Sequence, residues 1–327
     1  MEPKVTVLMA VYNAEAYLKR SIESLLQQTL GDIQIVCVDD GSTDNSLSIL
    51  QYYASQDQRI EVLALKENGG PARARQAGLE MVRGTLVTFL DSDDWMASDA
   101  LEQAVKVMAT DDETDTVLFR LMCCDEKGNE TPWPMDSFAE ITGKDAFAMS
   151  IGWNGIHGCC VHRMSVIKRV PLDTSNKVYA DENMTRLRLY YSRKVKPCTG
   201  TYYYYQRETS ITRNVSVRRF DVLLTNEYMS KLLPTLDVPR TVAVRHENMR
   251  YLLMIDMCMF YHQHKCELSR EERKYAFNLL HRIWKDIDRT LLDTPAARKF
   301  GHRPMNHWWW FCVNEWVYFT LRGWLGR

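Results

Sequence analysis

The chain carries almost no net charge. Its 41 Lys and Arg offset 42 Asp and Glu to a formal −1, which gives no sign of a nucleic-acid partner. Nine cysteines are present but no Cys-x-x-Cys pair, so a zinc site of the usual spacing is not expected. The odd count, with no leader-like segment before the first β-rich run, points to a reducing cytoplasm. No stretch reaches the roughly 18 uncharged apolar residues of a membrane-spanning helix. No Gly-x-Gly-x-x-Gly follows the first strand-like run, and Gly-x-x-x-x-Gly-Lys-Ser/Thr is missing. Those absences argue against a dinucleotide oxidoreductase and a P-loop NTPase. Internal repeats and low-complexity tracts are also lacking.

What is present is ample apolar material, 46% of 327 residues, enough for about two domains. The charge is unevenly spread. Residues 1–214 hold 23 basic and 30 acidic residues, and residues 215–327 hold 18 and 12. The second part is therefore net basic, as for a surface that meets an anionic partner such as a membrane.

Strand-like and helix-like patterns alternate through the first 121 residues. Val5–Met9, Ile33–Val38, Ile60–Leu65, Leu86–Leu90 and Thr116–Leu121 read as strands. Several are apolar without alternation, the pattern of strands buried on both faces of a parallel sheet. Helices are expected between them, with Asn13 and either Thr43 or Asp44 as caps and Pro71 in a first turn. The polar residues gather at one topological edge. Tyr12 and Asn13, Asp39 and Asp40, Asn68 and Gly69, and Asp91, Ser92, Asp93 and Asp94 each follow a strand. Ligands of open α/β sheets bind outside the carboxyl ends of strands. Three carboxylates in Asp91–Asp94 repel one another unless a cation compensates, and a hard divalent ion could do so with phosphate oxygens and water. One composite nucleotide site is expected there.

Together the runs VTVLMAVYN (5–13), IVCVDDGSTD (35–44), NGGPARARQAG (68–78) and LDSDD (90–94) resemble the family-2 inverting glycosyltransferases. YQRETSIT (205–212) resembles the close of the same domain. The resemblance implies a GT-A fold, α/β with a mostly parallel central sheet flanked by helices. It implies a catalytic domain over 1–213, with a nucleotide-sugar half to about 121 and an acceptor half beyond. A C-terminal helical region covers 214–327. It further implies sugar transfer from a nucleotide-sugar, usually uridine-linked, to a hydroxyl of a saccharide or lipid-linked saccharide, aided by Mg²⁺ or Mn²⁺. By resemblance Ala10 and Tyr12 border base and ribose, and Asp40 takes the uracil edge. Asp91 lies near ribose and diphosphate, Asp93 is the metal ligand, and Arg73 and Arg75 wall the nucleotide. Asn13, Asn68 and Ser92 complete the donor set. The alternative for Arg75 is a solvated helix face. Ala10 stands where the family commonly has proline. The acidic pair before the late helix reads Asp181–Glu182, where the family commonly has Glu–Asp. Position selects Glu182 as the base and residue type selects Asp181; Glu182 is preferred. No Gln-x-x-Arg-Trp follows, which argues against a processive synthase.

Two other function classes remain for such a chain. A nucleotidyltransferase would be expected to place a Gly-rich basic loop straight after the first strand, unlike Ala10–Asn13. A non-catalytic nucleotide-sugar-binding protein would not need Asp91, Asp93, Asp94 and a second acidic pair. His157 and His162 read more readily as satisfied core histidines than as ligands. Ser269–Glu272 is a capping box ahead of a helix presenting Phe277, Leu280, Trp284, Ile287 and Leu291. The aromatic end is expected to form a helix over 308–325, about 27 Å long. On it His307, Asn314, Glu315 and Arg322 form a narrow polar face within about 100° of arc. Burying a charge near its centre disfavours spanning. Segment 307–327 is therefore expected to lie on the inner face of the cytoplasmic membrane. The alternative is packing against the catalytic domain or a second copy of the chain in a homo-oligomer.

Overall fold

The computed structural model describes residues 2–152, 155–170, 180–207, 215–293 and 301–324. The chain packs as two compact units, residues 1–150 with 154–208, and residues 151–153 with 209–327.

The first unit runs β1 (Val5–Val11), α1 (Glu15–Leu26), β2 (Ile33–Asp39), α2 (Ser46–Gln56), β3 (Ile60–Ala64), α3 (Pro71–Leu79), β4 (Leu86–Phe89) and β5 (Trp95–Met96). It continues with α4 (Ala100–Met108), β6 (Thr114–Asp125), β7 (Glu130–Pro132), β8 (Ile141–Thr142) and α5 (Gly143–Ser150). It closes with β9 (Cys160–Arg163), α6 (Met164–Ile167), α7 (Ala180–Tyr191) and β10 (Lys194–Gln206). The main path of the sheet is β3-β2-β1-β4-β9-β6-β10-β5, with β7 on β6 and β8 on β10. Strands β1 to β4 are parallel neighbours, as their unbroken apolar runs predict. Cys37 sits fully buried in β2 and its thiol is pushed up to about 12 by that burial.

The sheet is not parallel throughout. Short β9 runs antiparallel between β4 and β6, and β5 runs antiparallel to β10. Strand β9 was hard to see because it carries a buried histidine. The Thr116 hydroxyl meets His162 Nδ1 at 2.8 Å, and burial holds the imidazole well below its ordinary value. A satisfied neutral ring is tolerated in a core, so His162 is structural. The expected Asn13 cap is also corrected. Ala14 precedes α1, and Asn13 adopts a left-handed φ of 48°. Its Oδ1 instead accepts from Thr43 N–H at 2.8 Å. Asp44 accepts from Ser46 N–H at 3.0 Å, although Asn45 is the residue that precedes α2.

The second unit holds α8 (Val222–Leu232), α9 (Arg240–His264), α10 (Arg270–Asp286) and α11 (Trp308–Trp324). The capping box is formed, with Ser269 and Glu272 exchanging hydrogen bonds of 2.8 and 3.2 Å. The buried stripe of α10 is Ala276, Leu279, Leu280, Ile283 and Trp284, whereas Phe277 is exposed. No helix among the described residues is long and apolar enough to cross a membrane. The polar face expected on α11 breaks at Glu315, which is buried, while His307 and Arg322 are exposed and Asn314 is half-buried. Phe311, Glu315 and Phe319, four residues apart, face inward, and Trp309, Trp310, Trp316 and Trp324 are exposed. Apolar burial at the two flanking phenylalanines outweighs the cost of desolvating one carboxyl that can keep its proton.

That carboxyl has a thermodynamic signature. Burial pushes Glu315 from an ordinary 4.5 up to about 8. Tyr251, Cys258 and Cys312 face it, and His262 and Lys265 line the same cavity. The folded state therefore holds a proton that the unfolded chain releases. Its stabilising effect is complete below about pH 4.5 and is lost as pH rises through about 8. The helical unit should lose stability across that window, by at most about 5 kcal/mol. Amide exchange of α9 and α11 against pH should show the loss, and Glu315→Gln should flatten it. A slope that survives Glu315→Gln would assign the effect elsewhere.

Candidate active site

The site is built where the parallel strands end. The β1 and β2 loops interlock: besides the Asn13–Thr43 bond, Asn13 N–H donates to Ser42 Oγ and Ala14 N–H to Ser46 Oγ. Asp40, 2% exposed, accepts Gly69 N–H at 2.9 Å and Gly70 N–H at 2.7 Å, one on each oxygen. Gly70 has φ 90°, a conformation that glycine adopts without strain, and Pro71 then starts α3. Asp40 thus fixes the turn that aims α3. Its neighbour Asp39 is different. One oxygen accepts from Ser42 N–H at 3.2 Å, and the buried Oδ1 has no partner among the described residues. Tyr12 is half exposed beside them.

Beyond β4, Asp91, Ser92, Asp93 and Asp94 diverge. Asp91 is half exposed and receives Arg75 Nη2 at 2.5 Å, with Arg75 itself only 10% exposed. Arg75 is therefore no solvated helix face. Ser92 contributes its carbonyl to the Ser21 hydroxyl. Asp93 pairs with Arg207 Nη2 at 2.6 Å. The ion pair favours the ionised form, but burial and the neighbouring Asp91 charge outweigh it, and the carboxyl pKa is raised overall. Asp94 is 1% exposed. It receives Tyr202 OH at 2.7 Å and Tyr205 N–H at 2.8 Å, and burial raises it well above the ordinary range. Arg20 lies 3.8 Å over the Trp95 ring and 4.4 Å over Tyr205, and donates to the Asp93 carbonyl at 2.9 Å.

A cavity of about 140 Å³ joins Arg75, Phe89, Asp91, Cys159, Arg188 and Tyr202. The Arg188 guanidinium stacks 4.5 Å from Phe89. Met184 and Thr185 of α7 line it too. Glu182, one turn earlier on the same helix, is partly exposed and held by Arg186 at 2.5 Å. The Asp181 side chain lies outside the described residues. Burial lowers nearby His157 to about 4, which leaves it neutral at neutral pH. Arg73 is exposed and paired with Glu67 at 3.2 Å, away from the cavity lining.

The arrangement brings Asp91, Ser92, Asp93 and Arg75 together, with Ala10, Tyr12, Asn13, Asp40 and Asn68 along the adjoining strand ends. Sequence reasoning gave no role to Arg20, Arg188, Arg207, Tyr202 or the free oxygen of Asp39. Arg207 stood within a quoted run, and Tyr202 within a four-tyrosine strand, but their partners lie about a hundred residues away in sequence.

Among the described residues no group of three or more His, Cys, Asp or Glu could by itself hold a metal ion. One or two hard carboxylates suit a cation that keeps water and takes its remaining oxygens from a diphosphate. Asp93, with Asp91 beside it, fits that use and not a closed protein cage.

A largely parallel α/β sheet flanked by helices, with acidic loops at its strand ends, is a GT-A-type fold. Residues 6–174 match the model of Glycosyl transferase family 2, and the chain belongs to that family. It is 43% identical over 106 residues to an uncharacterized glycosyltransferase of Haemophilus influenzae, covering 32% of this chain and 42% of that protein. It is 30% identical over 226 residues to the uncharacterized glycosyltransferase YibD of Escherichia coli K12, covering 64% and 63%. The chain thus spans less than two thirds of either relative. Among solved structures, S. aureus TarS 1–349 in complex with UDP-GlcNAc aligns with TM-score 0.69 and 19% identity, over 99% of this chain and 92% of that one. At that identity the likeness is one of fold.

Proposed function

We propose that this glycosyltransferase moves a sugar from a UDP-sugar to a hydroxyl of a saccharide or lipid-linked saccharide, with inversion, in the synthesis of a cell-surface polysaccharide or glycolipid. The observation that carries the reading is the loop at the end of β4, where Asp91 shares a cavity with Arg75 and Arg188 and Asp93 pairs with Arg207. Guanidinium groups suit phosphate oxygens, and the acidic pair suits a divalent cation. The base lies over the β1 and β2 ends, against Tyr12 and Ala10. Asp40, which the resemblance assigns to the uracil edge, is engaged by the Gly69–Gly70 turn on both oxygens, and Asp39 offers its free oxygen to the uracil N–H in its place.

When bound, Mg²⁺ or Mn²⁺ on Asp93 supplies Lewis-acid neutralisation of the leaving diphosphate. Arg75, Arg188 and Arg207 orient that diphosphate and stabilise its growing charge. Glu182 or Asp181 accepts the proton of the attacking hydroxyl on the opposite face of the sugar. A donor screen tests the reading. A cognate UDP-sugar at about 100 times its dissociation constant should stabilise the fold by about 2.7 kcal/mol, and only with metal present. Donor hydrolysis should follow the same donor and metal. No shift with any nucleotide-sugar would remove the proposal.

We further propose peripheral contact with the inner face of the cytoplasmic membrane through α11, near a membrane-bound acceptor. Trp309, Trp310, Trp316 and Trp324 are 67%, 59%, 56% and 82% exposed, and tryptophan favours the lipid interface. Deleting 303–327 would strip Phe311 and Phe319 from a buried cluster, so surface substitution is the cleaner test. Trp309→Ser, Trp310→Ser and Trp324→Ser combined should abolish co-sedimentation with phosphatidylglycerol vesicles while keeping the melting temperature. Equal sedimentation by this variant would refute the contact.

A further inference from the structure

The helical unit contains a second cavity, remote from the carboxylates in sequence and different in chemistry. It measures about 150 Å³ and is lined by Tyr261, Phe277, Leu280, Trp308, Phe311 and Phe319 among others. Its polar contribution is concentrated in few groups. Glu315 lines it at 3% exposure. Asn314 Nδ2 donates to one oxygen at 3.1 Å, and the other, Oε2, is buried with no partner among the described residues. Lys265 and His262 also border the space, as does the exposed Trp316.

An apolar cavity of this size holds a benzene-sized group. A carboxyl with one idle oxygen costs stability in such a lining. A ligand that fills the space and bonds that oxygen relieves both defects. Burial keeps the carboxyl protonated at neutral pH, so it can donate as well as accept.

We propose that this cavity binds one apolar group of about six carbons that bears a hydroxyl or carbonyl oxygen, with Glu315 as the hydrogen-bond partner of that oxygen. The ligand is a free alcohol or phenol, or the ester-bearing end of a lipid chain. The site lies within the helical unit and needs no residue of the transfer site.

Benzyl alcohol and toluene form a matched probe pair for the full chain, read by the indole N–H signals of Trp308 and Trp316. Both probes should shift these signals and leave the Trp133 indole, bonded to the Gly155 carbonyl, unmoved. Glu315→Leu should abolish about fivefold of the preference for benzyl alcohol over toluene, the effect of one hydrogen bond. Glu315→Gln, which keeps a donor and the shape, should retain it. Cys312→Phe, built from the cavity wall, should block both probes without loss of donor-induced stabilisation. Dihexanoyl phosphatidylglycerol below its micelle concentration separates the sources. Binding that Cys312→Phe removes identifies a lipid chain, and benzyl alcohol binding without it identifies a free small molecule. Unshifted Trp308 and Trp316 signals with every probe, or an unchanged preference in Glu315→Leu, would overturn the proposal. So would undiminished probe binding in a folded Cys312→Phe variant.

Discussion

Asp93→Ala should reduce sugar transfer by roughly 10³-fold or more, the scale on which a principal charge-stabilising group is lost. The fold should survive. The Asp93 side chain is 19% exposed, and its ion-pair partner among the described residues, Arg207, is 28% exposed. Donor binding should weaken and cease to depend on metal, because the remaining carboxylates are already engaged, Asp91 by Arg75 and Asp94 by Tyr202 and Tyr205. Asp93→Asn separates shape from charge: the amide fills the same space but cannot neutralise a cation. Circular dichroism checks the fold, and calorimetric titration of nucleotide with and without Mg²⁺ checks the linkage. Transfer at the wild-type rate in Asp93→Ala, or undiminished transfer by the native protein in excess chelator, would end the assignment.

Glu182→Gln should lower turnover by about 10² to 10⁴ while leaving donor affinity near its starting value, as expected when a proton acceptor is replaced by a neutral amide of the same shape. The prediction separates kcat from KM. Glu182 is partly exposed on α7 just before Met184 and Thr185, which line the cavity. Arg186 can remain paired with the amide oxygen, so the helix should not be disturbed. Asp181→Asn is the necessary companion. A dead Asp181→Asn with an active Glu182→Gln would transfer the role to Asp181. Full activity in both would exclude the pair.

The parts of this molecule that could be read from the chain are those in which one physical demand dominates. Strands β1 and β2 are buried along almost their whole length, so every position had to be apolar or satisfied, and the pattern shows it. The turn before α3 is legible because Gly70 needs its left-handed φ and Pro71 needs none of the lost N–H. The carboxylates after β4 were legible because like charges rarely crowd without purpose. Harder were residues whose roles depend on distant partners. Arg75 sits on a short helix where sequence spacing could not distinguish solvent from Asp91. Arg20 acts through ring faces contributed by Trp95 and Tyr205. Glu315 looked like part of a solvent face because hydropathy treats every carboxyl as charged. Its surroundings instead make the protonated form the stable one, and Phe311 and Phe319 determine which way α11 turns.

The clasp between Asp94 and the end of β10 orders events during synthesis. Tyr202 and Tyr205 reach Asp94 across 108 and 111 residues. A chain emerging from the ribosome therefore displays all of its acidic loop long before the tyrosines that hold it, and before Arg207. Closing so long a loop is slow relative to forming the local β1–α1–β2 contacts. The matched family segment ends at residue 174, ahead of those groups. A nascent chain halted there would carry the acidic loop without the tyrosines of β10 that hold Asp94.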